Sequence, residues 1–191
     1  MSILLWVPVV SAAVALIGLI LAWTTHNRLV ELGTRADEAW SDVTVQLKRR
    51  ADLIPNLVES VKGAAAHEQA TLTQVVAARS ALLQATGQGP RAAAVAEGEF
   101  ADALRSLLAV AESHPDIKTN HNFLALQHEL VNTEDKIQAA RRLYNGSARN
   151  LNIKLRAFPS NIFAGLFHFH GREFFEVADR AGLEDPAAIS F

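Results

Sequence analysis

An uninterrupted apolar run near the N-terminus constrains this chain more than any other feature of its sequence. No charged side chain occurs from Ile3 to Trp23, a stretch of 21 positions. As an α-helix rising about 1.5 Å per residue, these positions span about 31 Å, which matches the hydrocarbon thickness of a bilayer. The run therefore predicts a transmembrane anchor helix over residues 3–23, with the lipid bilayer as its partner.

The residues that flank this run predict a retained anchor with a defined orientation. A cleaved signal peptide, which is the alternative, carries a basic segment before an apolar core of roughly 7–15 residues. Here only Ser2 separates Met1 from a longer run. The first basic side chains, Arg28 and Arg35, follow the run, so the positive-inside rule places the N-terminus outside and the remaining chain in the cytoplasm. We therefore expect a single-pass protein.

Small residues recur along one face of the predicted span. Small side chains let two membrane helices approach closely, so this face is a candidate membrane-helix contact, with a homo-oligomer as the implied assembly. The alternative is that Ala and Gly are simply common in spans. The residues of this face are Ser11, Ala15, Gly18 and Ala22.

The remainder of the chain has the periodicity of helices rather than of strands. Apolar residues recur every three or four positions, and alternating runs of Val, Ile, Thr and Tyr are missing. We expect an all-α fold in which about four long helices form an antiparallel bundle over residues 24–170, followed by an acidic tail over 171–191. The first helix is expected to break or kink at Ile54, because a residue before proline disfavours helical geometry. The later helices are expected over 57–82, 91–112 and 123–158, with a short piece over 161–166.

Composition and motifs give no sign of catalysis. The chain has no cysteine, which excludes disulfides, thiol nucleophiles and cysteine-based metal sites. Its net charge of −2 argues against a general nucleic-acid binder, and phosphate-binding, dinucleotide-binding and hydrolase motifs are missing. The seven histidines lack the spacing and the neighbouring carboxylates of a zinc site. We therefore expect no catalytic residue, no metal and no cofactor.

Positive charge is concentrated in the predicted fourth long helix. The stretch from Lys136 to Arg156 contains six bases and no acid. Within it, Arg142, Arg149 and Arg156 recur every seven positions and so share one helix face. This face is the candidate interaction surface for an anionic membrane or an acidic protein partner. The alternative is neutralisation by three acids of the tail, Glu173, Glu176 and Asp179.

Seven polar residues beside the predicted apolar seams are expected to be buried or structural. Near Pro55, backbone groups lose their helical partners and need charged side chains. In the second helix, polar side chains close to the seam need partners on other helices. Two asparagines seven positions apart in the fourth helix either fix its register or line a binding groove. The set comprises Arg50, Asp52, Glu68, Arg79, Tyr144, Asn145 and Asn152.

Several segments, taken in order, resemble the LemA family. After the span they are Lys48–Lys62, His67–Glu68, Ala77–Arg79, Asn122–Leu130, Thr133–Asn145 and Phe158–Asn161. The resemblance implies a bacterial inner-membrane protein with one span and a cytoplasmic helical bundle, with no established enzymatic activity or cofactor. It also implies a membrane-associated role, which in one branch of the family concerns magnetosome membrane formation. The chain departs from the family pattern at Leu151–Asn152, where a Tyr-Asn pair is usual, and between Phe167 and Gly171.

Two functions are consistent with these features. The first is a non-enzymatic scaffold or adaptor, anchored in the membrane, that presents its bundle to a membrane or protein partner. The second is a ligand-binding or catalytic helical domain that uses the polar positions around His67, Glu68, Arg79 and Asn145. The hypotheses differ in whether these four side chains converge on one water-accessible pocket.

Overall fold

The computed structural model describes residues 3–63 and 68–176, with side chains from Trp6 onward. The described residues form six helices and no strand, which confirms the all-α prediction. The helices are α1 (Ile3–Lys62), α2 (Gln69–Thr86), α3 (Pro90–Glu112), α4 (Pro115–Lys118), α5 (His121–Arg156) and α6 (Ser160–Leu166).

The first helix is continuous, so, of the break or kink expected at Ile54, the break does not occur. Pro55 lies inside α1, where its ring removes one donor from the ladder of backbone hydrogen bonds. The helix nevertheless continues to Lys62, so Leu57 and Val61 belong to α1 rather than to a second helix. The next helix begins only at Gln69. The prediction placed this boundary too early because it considered the local preference before proline and not the packing that supports the helix.

The turn after α2 lies where glycine and proline in the sequence predict it. Gly89 has a φ of 113°, a region that favours glycine, and Pro90 follows it in the first turn of α3. The short helix α4 was not expected. α5 begins after Asn120, whose Oδ1 accepts the backbone N–H of Asn122 at 2.9 Å, as an N-cap residue does.

The chain divides into two compact units. Of the described residues, the first unit comprises 3–38 and 146–172, and the second comprises 39–63, 68–145 and 173–176. In the first unit, buried apolar side chains of α1, α5 and α6 form one cluster. Its members are Leu29, Leu32, Leu151 and Ala164, with Leu155 and Phe169 packed against them.

The second unit is a bundle of four helical segments: the C-terminal part of α1, then α2, α3 and the first part of α5. Trp40 contacts Tyr144, and Arg49 pairs with Glu129. Residue numbers therefore fall along α5 as they rise along α1, so these two segments are antiparallel. The largest side chains with at most 1% exposure in this unit are Leu47, Ile54, Leu57, Leu82, Phe100, Leu107, Phe123, Ile137, Tyr144 and Phe175.

Candidate functional site

A buried arginine between two carboxylates is the main charged feature inside the second unit. Arg50 of α1 is 7% exposed. Its Nη1 donates a hydrogen bond to Glu97 Oε1 at 2.8 Å and lies 2.8 Å from Glu134 Oε2. Its guanidinium carbon also lies 5.3 Å from the centre of the Phe100 ring, within the range of a cation–π contact. One cation therefore links α1, α3 and α5.

The hydrogen-bonding capacity of this ion cluster is only partly used. Gln138 Nε2 donates a hydrogen bond to Glu134 Oε1 at 2.8 Å. Glu134 Oε2 forms the ion pair with Arg50, but this contact does not have the geometry of a hydrogen bond. Arg50 Nε and Gln46 Oε1 are buried without a hydrogen-bond partner among the described residues. Burial raises the pKa of Glu97, because the loss of hydration outweighs the attraction of Arg50, and the nearby Glu134 adds to the rise. The cluster therefore connects three helices and contains one carboxyl that retains its proton more strongly than usual.

Glu97 was missing from the residues predicted from sequence, although the sequence contains a signal for it. It lies three positions before Phe100, on the face of α3 that also carries the buried Ala93 and Leu104. A charged residue in register with a buried apolar seam needs a charged partner. The position of Glu97 on this buried face of α3 was the sequence signal, and Arg50 is its charged partner.

Arg79 of α2 compensates for the proline inside α1. Pro55 cannot donate to the carbonyl of Ala51, four residues earlier. Arg79 Nε donates to that carbonyl at 2.7 Å, and Arg79 Nη2 lies 3.6 Å from Asp52 Oδ1. Asp52 and Arg79, two of the residues expected to be buried or structural, therefore meet beside Pro55, where α1 remains intact.

In the second unit, the end of the described chain is bound by side chains of α5. Asn145 forms a reciprocal pair with Phe175: its Nδ2 donates to the Phe175 carbonyl at 3.0 Å, and its Oδ1 accepts the Phe175 N–H at 2.9 Å. The Tyr144 hydroxyl donates to the Glu173 carbonyl at 2.6 Å. The Phe175 ring is buried near Trp40 and Arg141, at 5.9 and 5.8 Å. These contacts bind the backbone of Glu173 and Phe175 and the aromatic ring of Phe175.

In the first unit, Asn152 forms the same reciprocal pair with Arg172. Its Nδ2 donates to the Arg172 carbonyl at 2.9 Å, and its Oδ1 accepts the Arg172 N–H at 3.0 Å. The Arg172 guanidinium donates to both carboxylate oxygens of Asp37 at 3.0 Å. A Cβ atom at Gly171 would lie 2.6 Å from Asn152 Oδ1, so a larger residue at this position would displace the Asn152 amide from its bonds to Arg172. Both predicted asparagines thus bind the backbone of residues that follow α6.

Comparison with known proteins identifies the family. A sequence profile of the LemA family matches residues 39–191. This chain belongs to the LemA family. It is similar to the magnetosome protein MamQ 2 of Paramagnetospirillum magneticum, with 27% identity over 175 residues, covering 79% of this chain and 64% of the relative. It is also similar to the magnetosome protein MamQ of Magnetospirillum gryphiswaldense, with 25% identity over 191 residues, covering 85% and 70% respectively. The chain therefore spans less than two thirds of the first of these relatives.

The two departures from the usual LemA pattern fall on residues of the first unit. Leu151 is 2% exposed and packs in the apolar cluster, while the neighbouring Asn152 binds Arg172. Between Phe167 and Gly171, the rings of Phe167 and Phe169 contact the ring of His26. Leu151, Phe167 and Phe169 are therefore packing residues in this LemA chain.

The three arginines predicted as an interaction surface are exposed on α5 of this LemA chain. Arg142 belongs to the second unit, and Arg149 and Arg156 belong to the first. None of them forms an ion pair with another residue that the structure describes. Within the same limits, Glu173 and Glu176 do not pair with them, and Asp179 lies outside the described residues.

The remaining predicted positions have simpler surroundings. Glu68 is exposed before α2, and its carbonyl accepts the N–H of Leu72 at 3.2 Å; His67 lies outside the described residues. Along the span, a Cβ at Gly18 would meet no atom within 4 Å, so this face is open. Across residues 3–63 and 68–176, no group of three or more His, Asp or Glu side chains has the arrangement of a metal site. The small-residue contact of the span remains a prediction.

Proposed function

We propose that this LemA-family chain is a membrane-anchored, non-enzymatic scaffold or adaptor. In this function, α1 anchors the chain in the bacterial cytoplasmic membrane, and the helical bundle is presented to a membrane or protein partner. The similarity to two magnetosome proteins agrees with membrane association.

One observation carries the proposal: α1 changes along its length from an exposed apolar helix to a buried one. Trp6, Leu19 and Trp23 are 65%, 68% and 69% exposed, whereas Leu29 and Leu47 are fully buried. The N-terminal part is long and apolar enough to cross a membrane. Such a surface is unfavourable in water and stable in hydrocarbon. Because the same helix continues into the buried part, the anchor and the helical domain share one element.

The proposed orientation has the N-terminus outside, because the exposed Arg28 and Arg35 follow the span. The absence of cysteine makes Val45→Cys a unique thiol on an exposed position of α1. In intact spheroplasts, a membrane-impermeant maleimide should leave this thiol unmodified, and lysis should expose it. Equal modification before and after lysis would place this part of α1 outside the cell and contradict the orientation.

The exposed arginines of α5 are the proposed contact for an acidic protein or an anionic lipid surface. Arg142, Arg149 and Arg156 form no ion pair with the described residues, which supports a contact between their charge and a partner. Lipid attraction amounts to about 1 kcal/mol for each basic residue near an anionic surface. For a domain already tethered to the membrane, that attraction is sufficient to bias its contacts.

Photo-crosslinking in native membranes tests this contact and separates its two chemistries. A photoreactive residue at Arg149 should give discrete adducts, whose mass distinguishes a polypeptide from a lipid. The same residue at Val95 on α3, which is 57% exposed, serves as the control position. Replacing Arg142 and Arg156 by Gln should lower the adduct yield at position 149 several-fold. An unchanged yield, or adducts equal to those at Val95, would contradict a charge-directed contact.

The described side chains favour this proposal over a ligand-binding or catalytic domain. Arg79 and Asn145 direct their hydrogen bonds to backbone atoms at different places, Ala51 in one case and Phe175 in the other. Glu68 is exposed. Side chains that satisfy the backbone of their own fold are already engaged in structural contacts.

A further inference from the structure

The short helix α6 presents an uncovered apolar face within the first unit. Ile162 and Leu166, four positions apart in α6, are 59% and 67% exposed, and Phe158, two residues before the helix, is 81% exposed. Ser160 and Ala164, on the other side, are 1% and 4% exposed. No Asp, Glu, Lys or Arg occurs from Phe158 to Gly171. Exposed apolar side chains without a neighbouring charge indicate a contact with something other than water.

Contacts with α1 place α6 close to the end of the predicted span. The ring of His26, three residues after Trp23, lies 4.9 Å from the ring of Phe167 between centroids. At about 1.5 Å per residue, His26 is about 5 Å beyond Trp23 along the helix. Ala164 packs with Leu29 and Leu32, about 9–14 Å beyond Trp23. The polar interface of a bilayer extends about 5–8 Å beyond its hydrocarbon core, so Phe167, directly after α6, lies at this level and Ala164 lies just above it.

A basic cleft in the same unit adds the second component of a membrane surface contact. Its volume is about 510 Å³, and its lining includes Arg28, Arg35 and Lys154. Arg28 and Arg35 both pair with Glu31 at 2.6 Å, while Lys154 pairs with no other described residue. The cleft therefore has a net positive charge. Apolar side chains beside basic ones are the combination that binds an anionic lipid interface.

We infer that α6 is an interfacial membrane element. Phe158, Ile162 and Leu166 insert into the surface of the bilayer that α1 spans, and the basic cleft binds anionic phospholipid headgroups beside them. The exposed Trp23 contributes an aromatic side chain at the same interface. This inference rests on the anchoring of α1 in the proposed function. It adds a second membrane contact, more than 130 positions further along the chain.

Depth-dependent fluorescence quenching of the full chain tests the inference, with single cysteines introduced into a cysteine-free sequence. The test variant is Ile162→Cys, and the matched control is Leu143→Cys on α5, because both native side chains are 59% exposed. Val14→Cys, at a position that is 64% exposed, reports on the span. Each variant carries a thiol-linked fluorophore and is placed as one chain per nanodisc containing anionic lipid. A nitroxide on the lipid acyl chain near the headgroup quenches from the membrane, and iodide quenches from water.

We expect the label at position 162 to be quenched by the lipid nitroxide and to have an iodide quenching constant several-fold below that of the label at 143. If the label at 14 is quenched by lipid but the label at 162 behaves like that at 143, the inference is wrong and the anchor stands. If the label at 14 is not quenched by lipid, the anchor fails and the inference fails with it. Protection of position 162 from iodide without lipid quenching would reveal a protein cover, and would also overturn the inference.

Discussion

The carbonyl of Ala51 lacks its usual helical partner because Pro55 has no N–H, and it accepts the Nε–H of Arg79 instead. Ala51 is fully buried, so water cannot take the place of the arginine. A buried carbonyl without a partner destabilises the folded state by about 1–3 kcal/mol. At the scale of single residues, this contact explains how a proline is tolerated inside α1.

Arg79→Met should therefore lower the free energy of unfolding by about 1–3 kcal/mol, since it retains the aliphatic stem but removes the donor. In a Pro55→Ala background, the restored N–H binds the Ala51 carbonyl, and Arg79→Met should cost less than half as much. Denaturant unfolding of the full chain in mild detergent, followed by helical circular dichroism, measures both values. Equal costs in the two backgrounds would show that Arg79 does not compensate for the proline.

The raised pKa of Glu97 makes stability depend on pH. Unfolding returns this carboxyl to its ordinary pKa of 4.5, so the folded state binds the proton more tightly. The resulting stabilisation is complete below pH 4.5 and is lost as the pH rises through the raised folded pKa. Glu97→Gln removes the titration and retains an acceptor for Arg50. The unfolding free energy of the wild type minus that of Glu97→Gln should fall as the pH rises above 4.5. If the unfolding free energies of the two proteins change with pH in parallel, the raised pKa of Glu97 is refuted.

At the scale of elements, α5 contributes buried side chains to both units, and its apolar seam is expected to dominate stability. Ile137 is 1% exposed and Leu130 is 5% exposed, while Val131 on the same helix is 59% exposed. We expect Ile137→Ala and Leu130→Ala to lower the free energy of unfolding by about 2–5 kcal/mol each. Val131→Ala should change it by no more than about 0.5 kcal/mol. Similar unfolding midpoints for all three variants would show that the seam is assigned to the wrong face.

The membrane segment of α1 carries a separate prediction. Gly18 lies among small residues on an open face, where a Cβ atom would meet nothing within 4 Å in the single chain. If this face pairs two spans, Gly18→Ile should weaken self-association in a transmembrane reporter assay, because the branched side chain prevents close approach. A dimer signal equal to that of the wild type would end the prediction.

The sequence predicts the bounds of a helix well when the contacts that set those bounds are local in the chain. The bounds of α3 and α5 follow from apolar periodicity with glycine and proline at the ends, and both were predicted closely. The end of α1 was not, because Arg79, which supports the helix at Pro55, comes from 28 positions beyond Ala51. The two asparagines of α5 were identified as polar positions. Their backbone partners, in the segment that reaches Phe175, depend on the path that the chain takes after α6.

In the molecule as a whole, a single helix, α1, is apolar and exposed at its start and buried further on. The family assignment covers residues 39–191 and does not include the predicted span. The anchor therefore depends on the physical chemistry of residues 3–23 rather than on the family match. Twenty-one uncharged positions and exposed apolar side chains are the reasons to place this segment in a bilayer.

Alkaline carbonate extraction of cell membranes, followed by intact-mass measurement of the chain, tests whether residues 3–23 are a retained anchor. We expect the full-length chain to stay in the membrane pellet with its N-terminal segment uncleaved. A truncated chain that begins at Asn27 is the matched control, and carbonate should release it. Recovery of the mature protein in the soluble fraction, shortened near Ala22, would show that the apolar segment is a cleaved signal peptide and not an anchor.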